Sequence, residues 1–89
     1  MRVVWAESAL AQLEQLVEYI GREDLAAAYA VRDRVVERVE QLRLFPELGP
    51  PGKRGTRRLV IVGTSYVASY RMRSDEVHIV AVWHSAQHR

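Results

Sequence analysis

The chain has 89 residues, of which 48% are hydrophobic and 27% charged, and it contains no cysteine. This length predicts a single domain over residues 1–89 with one small core, and the absence of cysteine excludes disulfides and thiol chemistry. The longest uninterrupted apolar run covers residues 25–31, against about 18 residues for a membrane-spanning helix. Glu7 interrupts the N-terminal apolar run that a signal peptide needs, so we expect a cytoplasmic protein without a membrane partner.

The net charge of +2 is distributed unevenly along the chain. Residues 1–50 carry six arginines and nine acids, a net charge of −3, whereas residues 51–89 carry seven cations and two acids, a net charge of +5. A basic half of this kind predicts an anionic partner, either nucleic acid or an acidic protein surface. A solvated basic surface with no partner is the alternative.

The N-terminal half is predicted to form one strand and two helices. Residues 2–5 contain two β-branched residues and one aromatic residue after Arg2, and they predict a short strand at the edge of the sheet. Apolar residues spaced three and four apart predict a first helix over residues 7–20, ended by Gly21, and a second over residues 24–44, ended by Phe45-Pro46. The two apolar stripes are Leu10, Leu13, Leu16, Val17 and Ile20, and Ala28, Val31, Val35, Val39 and Leu42.

The C-terminal third is predicted to form three antiparallel strands joined by tight turns. An irregular connector at residues 47–55, rich in proline and glycine, leads into β-branched and aromatic runs at residues 57–62, 66–72 and 77–84. A short polar tail at residues 85–89 follows. The order β-α-α-β-β-β predicts an α+β fold, an antiparallel sheet with an antiparallel helix pair packed on one face.

Alternation along these strands divides their side chains into two sets. One set is almost wholly apolar and is assigned to the core, whereas the other mixes valine with arginine and histidine and is assigned to an open basic face. A shift of one residue within a strand would exchange its two sets. The core set is Leu59, Ile61, Tyr66, Ala68, Tyr70, Met72, Val77, Ile79, Ala81 and Trp83, and the open set is Arg58, Val60, Val62, Val67, Ser69, Arg71, Arg73, His78, Val80, Val82 and His84.

An ordered series of short motifs covers nearly the whole chain. The series is Val4-Trp5, Ala9-Leu10, Leu13, Tyr19-Ile20, Ala27-Ala28, residues 44–49 (LFPELG), residues 55–60 (GTRRLV), Tyr66-Val67, Tyr70-Arg71 and residues 80–84 (VAVWH). In this order it resembles the RelE/ParE superfamily of toxins from bacterial type II toxin–antitoxin systems, the ParE-like branch more than the RelE-like branch.

The resemblance implies a growth-inhibiting toxin that a cognate antitoxin neutralises. In such families the antitoxin wraps the toxin with a segment that folds on binding. It would dock in the groove of the helix pair or add a strand to the sheet edge. Exposed helix faces would permit a homodimer without requiring one.

ParE-like and RelE-like members differ in their targets. ParE-like members inhibit DNA gyrase by binding, whereas RelE-like members are endoribonucleases that cut mRNA on the ribosome. A third hypothesis is an inactive relative that only binds its antitoxin. The ParE-like hypothesis is our first choice, because it needs only a basic docking surface. Its candidate residues for an anionic target are Lys53, Arg54, Arg57, Arg58 and Arg73.

The ribonuclease alternative needs a catalytic set, since cleaving a phosphodiester requires a base, an acid and cations near the phosphorane. His84 is the candidate proton-transfer group, with His78 second, because imidazole titrates near neutral pH and the family commonly has a histidine closing the last strand. Arg58 and Arg71 would supply the cations, so the hypothesis places Arg58, Arg71 and His84 together on the open face. A backbone hydrogen bond that orders the C-terminus is the alternative role for His84. The chain departs from ribonuclease members in two ways: Lys53 is its only lysine, and no tyrosine follows His84.

No cofactor or metal is expected. Six residues of strand separate His78 from His84 by about 20 Å, and His84 and His88 have a metal-binding spacing only if they lie on a helix. Trp5 and Trp83 are expected in the core, bracketing the sheet.

Overall fold

A computed structural model describes residues 1–87, so His88 and the end of the predicted polar tail lie outside the described residues. Strand β1 spans Arg2–Trp5, helix α1 Glu7–Gly21 and helix α2 Leu25–Glu40, followed by a 3₁₀ turn at Gln41–Arg43. After the connector, with its own 3₁₀ turn at Lys53–Gly55, come β2 (Arg57–Val60), β3 (Tyr66–Arg73) and β4 (Glu76–His84). The predicted element order is therefore confirmed. No helix in the described part of the chain is long and apolar enough to cross a membrane.

The two helices bury the stripes that their spacing predicts, with one exception. In α2, Ala28, Val35 and Val39 are fully buried, and Asp24 caps the helix by accepting a hydrogen bond from the Ala27 amide at 3.0 Å. In α1 the buried positions are Ala9 and Leu16, whereas Leu10 is 45% exposed. Leu13, Val17 and Ile20 pack against the core as predicted, so α1 departs from the predicted stripe only in its first turn, where Ala9 takes the place of Leu10.

The sheet has the strand order β1-β4-β3-β2. Strands β2, β3 and β4 form the predicted antiparallel meander, but β1 pairs with β4 in parallel, so the sheet is mixed. Both helices pack on one face of this sheet, which confirms the α+β architecture. We call the opposite surface the outer face.

A β-bulge divides β4 into two parts with different orientations. Ser69 pairs with Ala81 and Tyr70 with Ile79, which leaves Val80 without a partner in the register. Because side chains alternate with a period of two, one extra residue exchanges the two faces beyond the bulge. The assignment of residues 77–79 was correct, but the assignment of residues 81–84 was wrong. Val82 belongs to the helix-side core cluster, and the side chains of residues 81 and 83 face outward.

The free edge of β2 is closed by arginines from α2. The guanidinium of Arg34 donates to the carbonyl oxygen of Val62 and that of Arg38 to the carbonyl oxygen of Val60, each at 3.1 Å. Residues four apart on a helix and two apart on a strand are both separated by about 6–7 Å, so the two pairs match. These contacts satisfy carbonyl groups that an edge strand would otherwise leave open.

A buried tyrosine fixes the connector to the sheet. The hydroxyl of Tyr70, whose side chain is fully buried, accepts a hydrogen bond from the Gly49 amide at 2.9 Å and donates to the Pro46 carbonyl at 2.8 Å. Gly49 has to be a glycine here, because a Cβ atom would lie 2.7 Å from the carbonyl oxygen of Arg58. The chain between α2 and β2 is thus irregular but tightly held.

Candidate functional sites on the two faces of the sheet

The outer face carries most of the charged side chains of the sheet. It is formed by every second residue of each strand, and no described helix covers it. Its members are Arg2 and Val4 from β1, Arg58 and Val60 from β2, Val67, Ser69, Arg71 and Arg73 from β3, and Glu76, His78, Ala81 and Trp83 from β4.

A histidine that contacts a carboxylate lies on this face. Glu76 contacts Arg2 through Oε2 at 2.9 Å and His78 Nε2 through Oε1 at 3.0 Å. Arg71 is opposite His78 in the register, and Arg73 is opposite Glu76. The Nε atom of Arg71 is buried, with no hydrogen-bond partner in the described part of the chain. The arrangement brings one imidazole, one carboxylate and three guanidinium groups onto neighbouring positions.

Trp83 lies under Arg58 on this same face. Its indole Nε1 donates to Ser69 Oγ at 3.0 Å, and the guanidinium carbon of Arg58 lies 5.0 Å from the ring centroid, within cation–π range. Trp83 is buried as predicted, at 5% exposure, but it lies on the outer face and not in the helix-side core cluster. Trp5, in contrast, packs against the core as expected.

The predicted anion-binding residues have different surroundings. Lys53 and Arg54 lie in the exposed 3₁₀ turn before β2, and Arg58 and Arg73 are exposed on the outer face. Arg57 points to the other side, where its Nη1 donates to the Gly49 carbonyl at 2.7 Å in a partly buried position. Arg57 therefore holds the connector, whereas the other four residues are exposed, Arg58 with its guanidinium over the Trp83 ring.

His84 lies on the helix side of the sheet. It pairs with Tyr66 in the register, and the two rings meet edge to face with centroids 5.3 Å apart. The Ala86 amide donates to His84 Nδ1 at 3.0 Å, so the neutral ring carries its proton on Nε2. The predicted common face of Arg58, Arg71 and His84 was therefore wrong, because the bulge at Val80 turns His84 away from the arginines. The contact with Ala86 matches the alternative role, in which His84 orders the following backbone.

Between α1 and the ends of β3 and β4 lies a cavity of about 470 Å³, which we call the α1 pocket. Its polar lining consists of Gln12, Gln15 and Tyr19 from α1, Tyr66 from β3, and His84 and Gln87 from the end of β4 and the turn after it. Among the described residues, the lining contains no lysine, arginine, aspartate or glutamate, and burial, together with the neighbouring Tyr19, raises the pKa of the Tyr66 phenol. The sequence analysis missed this pocket because it assigned His84 to the other face. The sequence feature that could have indicated the pocket is the helical spacing of Gln12, Gln15 and Tyr19, which places these polar side chains on one side of α1.

Gln12 also closes the edge of β4 beyond the end of β1. The Val82 amide donates to Gln12 Oε1 at 2.7 Å, and Ser8 Oγ, one helical turn earlier, donates to the Val80 carbonyl at 2.9 Å. These contacts bind α1 to the bulged part of β4. They fix the wall of the pocket and orient the Gln12 carboxamide.

The fold and its two faces define a small α+β domain of the kind found in bacterial toxins. The model of the family described as "ParE toxin of type II toxin-antitoxin system, parDE" matches residues 3–89. The chain belongs to this family, within the RelE/ParE superfamily, and is a toxin of a type II toxin–antitoxin system.

Two relatives and one solved structure illustrate the similarity. The chain is 36% identical over 87 residues to Putative toxin Y4kP of Sinorhizobium fredii, covering 97% of this chain and 90% of the relative. It is 35% identical over 86 residues to Toxin RelE2 of Caulobacter vibrioides, covering 97% of each. A structure described as the chromosomal ParDE TA system from P. aeruginosa has the same fold, with a TM-score of 0.84 and 23% identity over 94% of this chain and 95% of that one.

Proposed function

We propose that this toxin acts in the cytoplasm by binding DNA gyrase through the outer face of its sheet, and that a cognate antitoxin neutralises it. The observation that carries the proposal is the separation of the cations from His84. Arg58, Arg71 and Arg73 share the outer face, whereas His84 faces α1. This arrangement suits a docking surface, which needs charge and shape, better than the predicted catalytic set.

The charges of the outer face support an anionic target. Arg58 and Arg73 are exposed, and the Nε of Arg71 has no partner among the described residues. Glu76 is shared between Arg2 and His78, so it neutralises only part of the positive charge. Such a surface attracts acidic protein or nucleic acid over a range of about 10 Å at 0.1 M salt, and higher salt weakens the attraction.

The alternative is ribosome-dependent mRNA cleavage, with His78 in place of His84. The observation that favours it is the position of His78 opposite Arg71, with Glu76 at its Nε2. A carboxylate that orients an imidazole beside a guanidinium can serve proton transfer at a phosphodiester. An inactive toxin that only binds its antitoxin is the third hypothesis, and normal growth after induction would identify it.

The helix side of the molecule offers the antitoxin a docking surface. Leu25, Tyr29 and Val36 on α2 are 55%, 42% and 38% exposed, and their spacing of four and seven residues gives an apolar stripe. An amphipathic antitoxin helix would bury this stripe. The same stripe could pair with a second copy of the toxin, so a homodimer and the antitoxin would compete for it.

A supercoiling assay with purified gyrase tests the proposal. We expect the wild-type toxin to block supercoiling, and Arg71→Gln and Arg73→Gln to weaken the block several-fold and to reduce its sensitivity to salt. Arg32→Gln is the matched control, because it removes a partly exposed arginine of α2, away from the outer face, that contacts Asp33 and the Tyr29 ring.

Primer-extension mapping of transcripts after induction tests the ribonuclease alternative. Codon-phased mRNA cuts with normal supercoiling would overturn the gyrase proposal in favour of the ribonuclease. In that case His78→Ala should abolish cutting while His84→Ala retains it. Loss of cutting in His84→Ala alone would exclude His78 as the catalytic histidine.

A further inference from the structure

We propose that the α1 pocket binds a guanine-type base, free or unpaired in a single strand, through the edge that carries O6 and N7. This inference goes beyond gyrase binding, because it concerns the side of the sheet opposite the arginines. The pocket volume of about 470 Å³ lies within the range of small-molecule sites, roughly 300–1,000 Å³.

The lining of the pocket combines flat rings with carboxamides. Tyr19, Tyr66 and His84 offer aromatic surfaces, and Tyr19, which is 67% exposed, lies at the rim, where a ring can stack on it. Stacking on an aromatic side chain is the main way in which proteins hold an unpaired base. A purine has the largest stacking surface of the natural bases, so the rings favour a purine ligand.

Hydrogen bonds to the backbone leave the pocket rich in donors. Gln12 Oε1 accepts from the Val82 amide at 2.7 Å, and Gln87 Oε1 accepts from the His84 amide at 3.1 Å. Because a backbone N–H requires an acceptor, the oxygen of each carboxamide must face it, and the two NH₂ groups remain for another partner. His84 adds a third donor, its Nε2–H, since Nδ1 accepts from Ala86.

A donor-rich pocket selects a ligand edge with adjacent acceptors. Guanine presents O6 and N7 as two neighbouring acceptors, whereas adenine presents N7 beside an N6 amino donor. The uncharged lining also implies that the base, and not the phosphate, contributes most of the affinity. Glu14 and Glu18 of α1, both exposed near this end of the helix, would oppose a phosphate.

Inosine and adenosine form the matched pair of probes, because they differ at position 6, where inosine has an oxygen acceptor and adenosine an amino donor. In an NMR titration with labelled toxin, we expect inosine to shift the ring signals of Tyr19, Tyr66 and His84 in a saturable way. Adenosine should bind at least about fivefold more weakly, as one mispaired edge implies. Binding of inosine should change little with salt.

Two surface tyrosines provide the matched variants. Tyr19→Ala should weaken inosine binding about fivefold or more, whereas Tyr29→Ala on α2, also exposed but outside the pocket, should have no effect.

Short oligonucleotides with one central G or A distinguish the two sources of the base. Tighter binding of the G oligonucleotide than of inosine indicates a single strand, and equal binding indicates the free nucleoside.

Three results would overturn the proposal. They are the absence of shifts at the pocket rings with 20 mM inosine, equal affinity for inosine and adenosine, and an equal response of Tyr19→Ala and Tyr29→Ala. Oligonucleotide binding that depends steeply on salt and does not respond to Tyr19→Ala would place the contact on the outer face instead. Failure of gyrase inhibition would leave the pocket proposal intact, since the rings of Tyr19, Tyr66 and His84 line the pocket and do not lie on the outer face.

Discussion

His78 and His84 lie on the same strand, six residues apart, but in opposite surroundings. His78 is on the outer face, where Glu76 binds its Nε2 and Arg71 is its register partner. His84 faces α1, where its ring meets Tyr66 and its Nδ1 accepts from the backbone. One histidine is thus part of a charged network and the other of an uncharged pocket.

The difference arises from one residue, because Val80 is the bulged position between the two histidines. A regular strand would place positions 78 and 84 on one face, as the sequence analysis assumed. The bulge gives the longest strand of the sheet two faces with different chemistry. In our proposals, the charged face selects an anionic target, and the uncharged face selects a ligand by its ring shape and its hydrogen-bond acceptors.

Deletion of Val80 is the strongest way to break this comparison. It would restore regular alternation, expel Val82 from the core and force Trp83 toward the helices. We expect a loss of at least about 4 kcal/mol in the free energy of unfolding, a large part of the stability of a small domain. Urea denaturation followed by circular dichroism measures it.

Val80→Ala is the control for the deletion, because it shortens the side chain and keeps the bulge. We expect it to cost about 1 kcal/mol. A deletion variant as stable as the wild type would show that the register can slip without cost, and the bulge would then not separate the two faces.

The sequence was sufficient to predict the helices, the strands and most of the core residues. Helical spacing identified Val35 and Val39, and alternation identified Leu59 and Tyr70, all fully or almost fully buried. Local patterns of this kind depend only on the period of each element. They carry no information on pairing between strands, so neither the parallel pairing of β1 nor the bulge at Val80 was predicted.

The candidate site was harder to predict, because it depends on that pairing. His84 was assigned to the wrong face by a shift of one residue. Arg57 and Arg58 were grouped as one basic cluster, although they are neighbours on a strand and must point to opposite sides. Alternation alone places Arg57 with Leu59, and the structure shows Arg57 bound to the Gly49 carbonyl.

Tyr70→Phe tests how the helix side of the sheet holds the connector. The substitution removes the hydroxyl that accepts from the Gly49 amide and donates to the Pro46 carbonyl. A buried backbone donor without a partner costs roughly 1–3 kcal/mol, so we expect a loss of about 2 kcal/mol in urea denaturation. Tyr29→Phe, on an exposed ring, should change nothing. Equal stability of the two variants would mean that water replaces the hydroxyl and that the connector is not held by Tyr70.

Trp83→Phe tests the corresponding contact on the outer face. The variant loses the hydrogen bond to Ser69 and part of the attraction to Arg58, and we expect a cost of about 1–1.5 kcal/mol. A double-mutant cycle with Ser69→Ala isolates the hydrogen bond, with an expected coupling of about 0.5–1 kcal/mol. Trp5→Phe controls for the loss of ring area. A coupling free energy of zero would show that the hydrogen bond between the indole and Ser69 does not stabilise the fold.

The pH dependence of stability gives the smallest effect and sharpens the contrast between the two faces. Burial raises the pKa of Tyr66 in the folded protein, so the folded state holds this proton more tightly than the unfolded chain does. The contribution is fully present below the unfolded value of about 10 and is lost as the pH rises through the folded value. We expect the urea midpoint to fall as the pH rises above about 10 in the wild type and to fall less in Tyr66→Phe. Tyr29→Phe is the control. If the urea midpoint falls as steeply with pH in Tyr66→Phe as in the wild type, the ionisation of Tyr66 does not destabilise the fold. The α1 pocket would then tolerate a negative charge, contrary to our proposal that it favours an uncharged base.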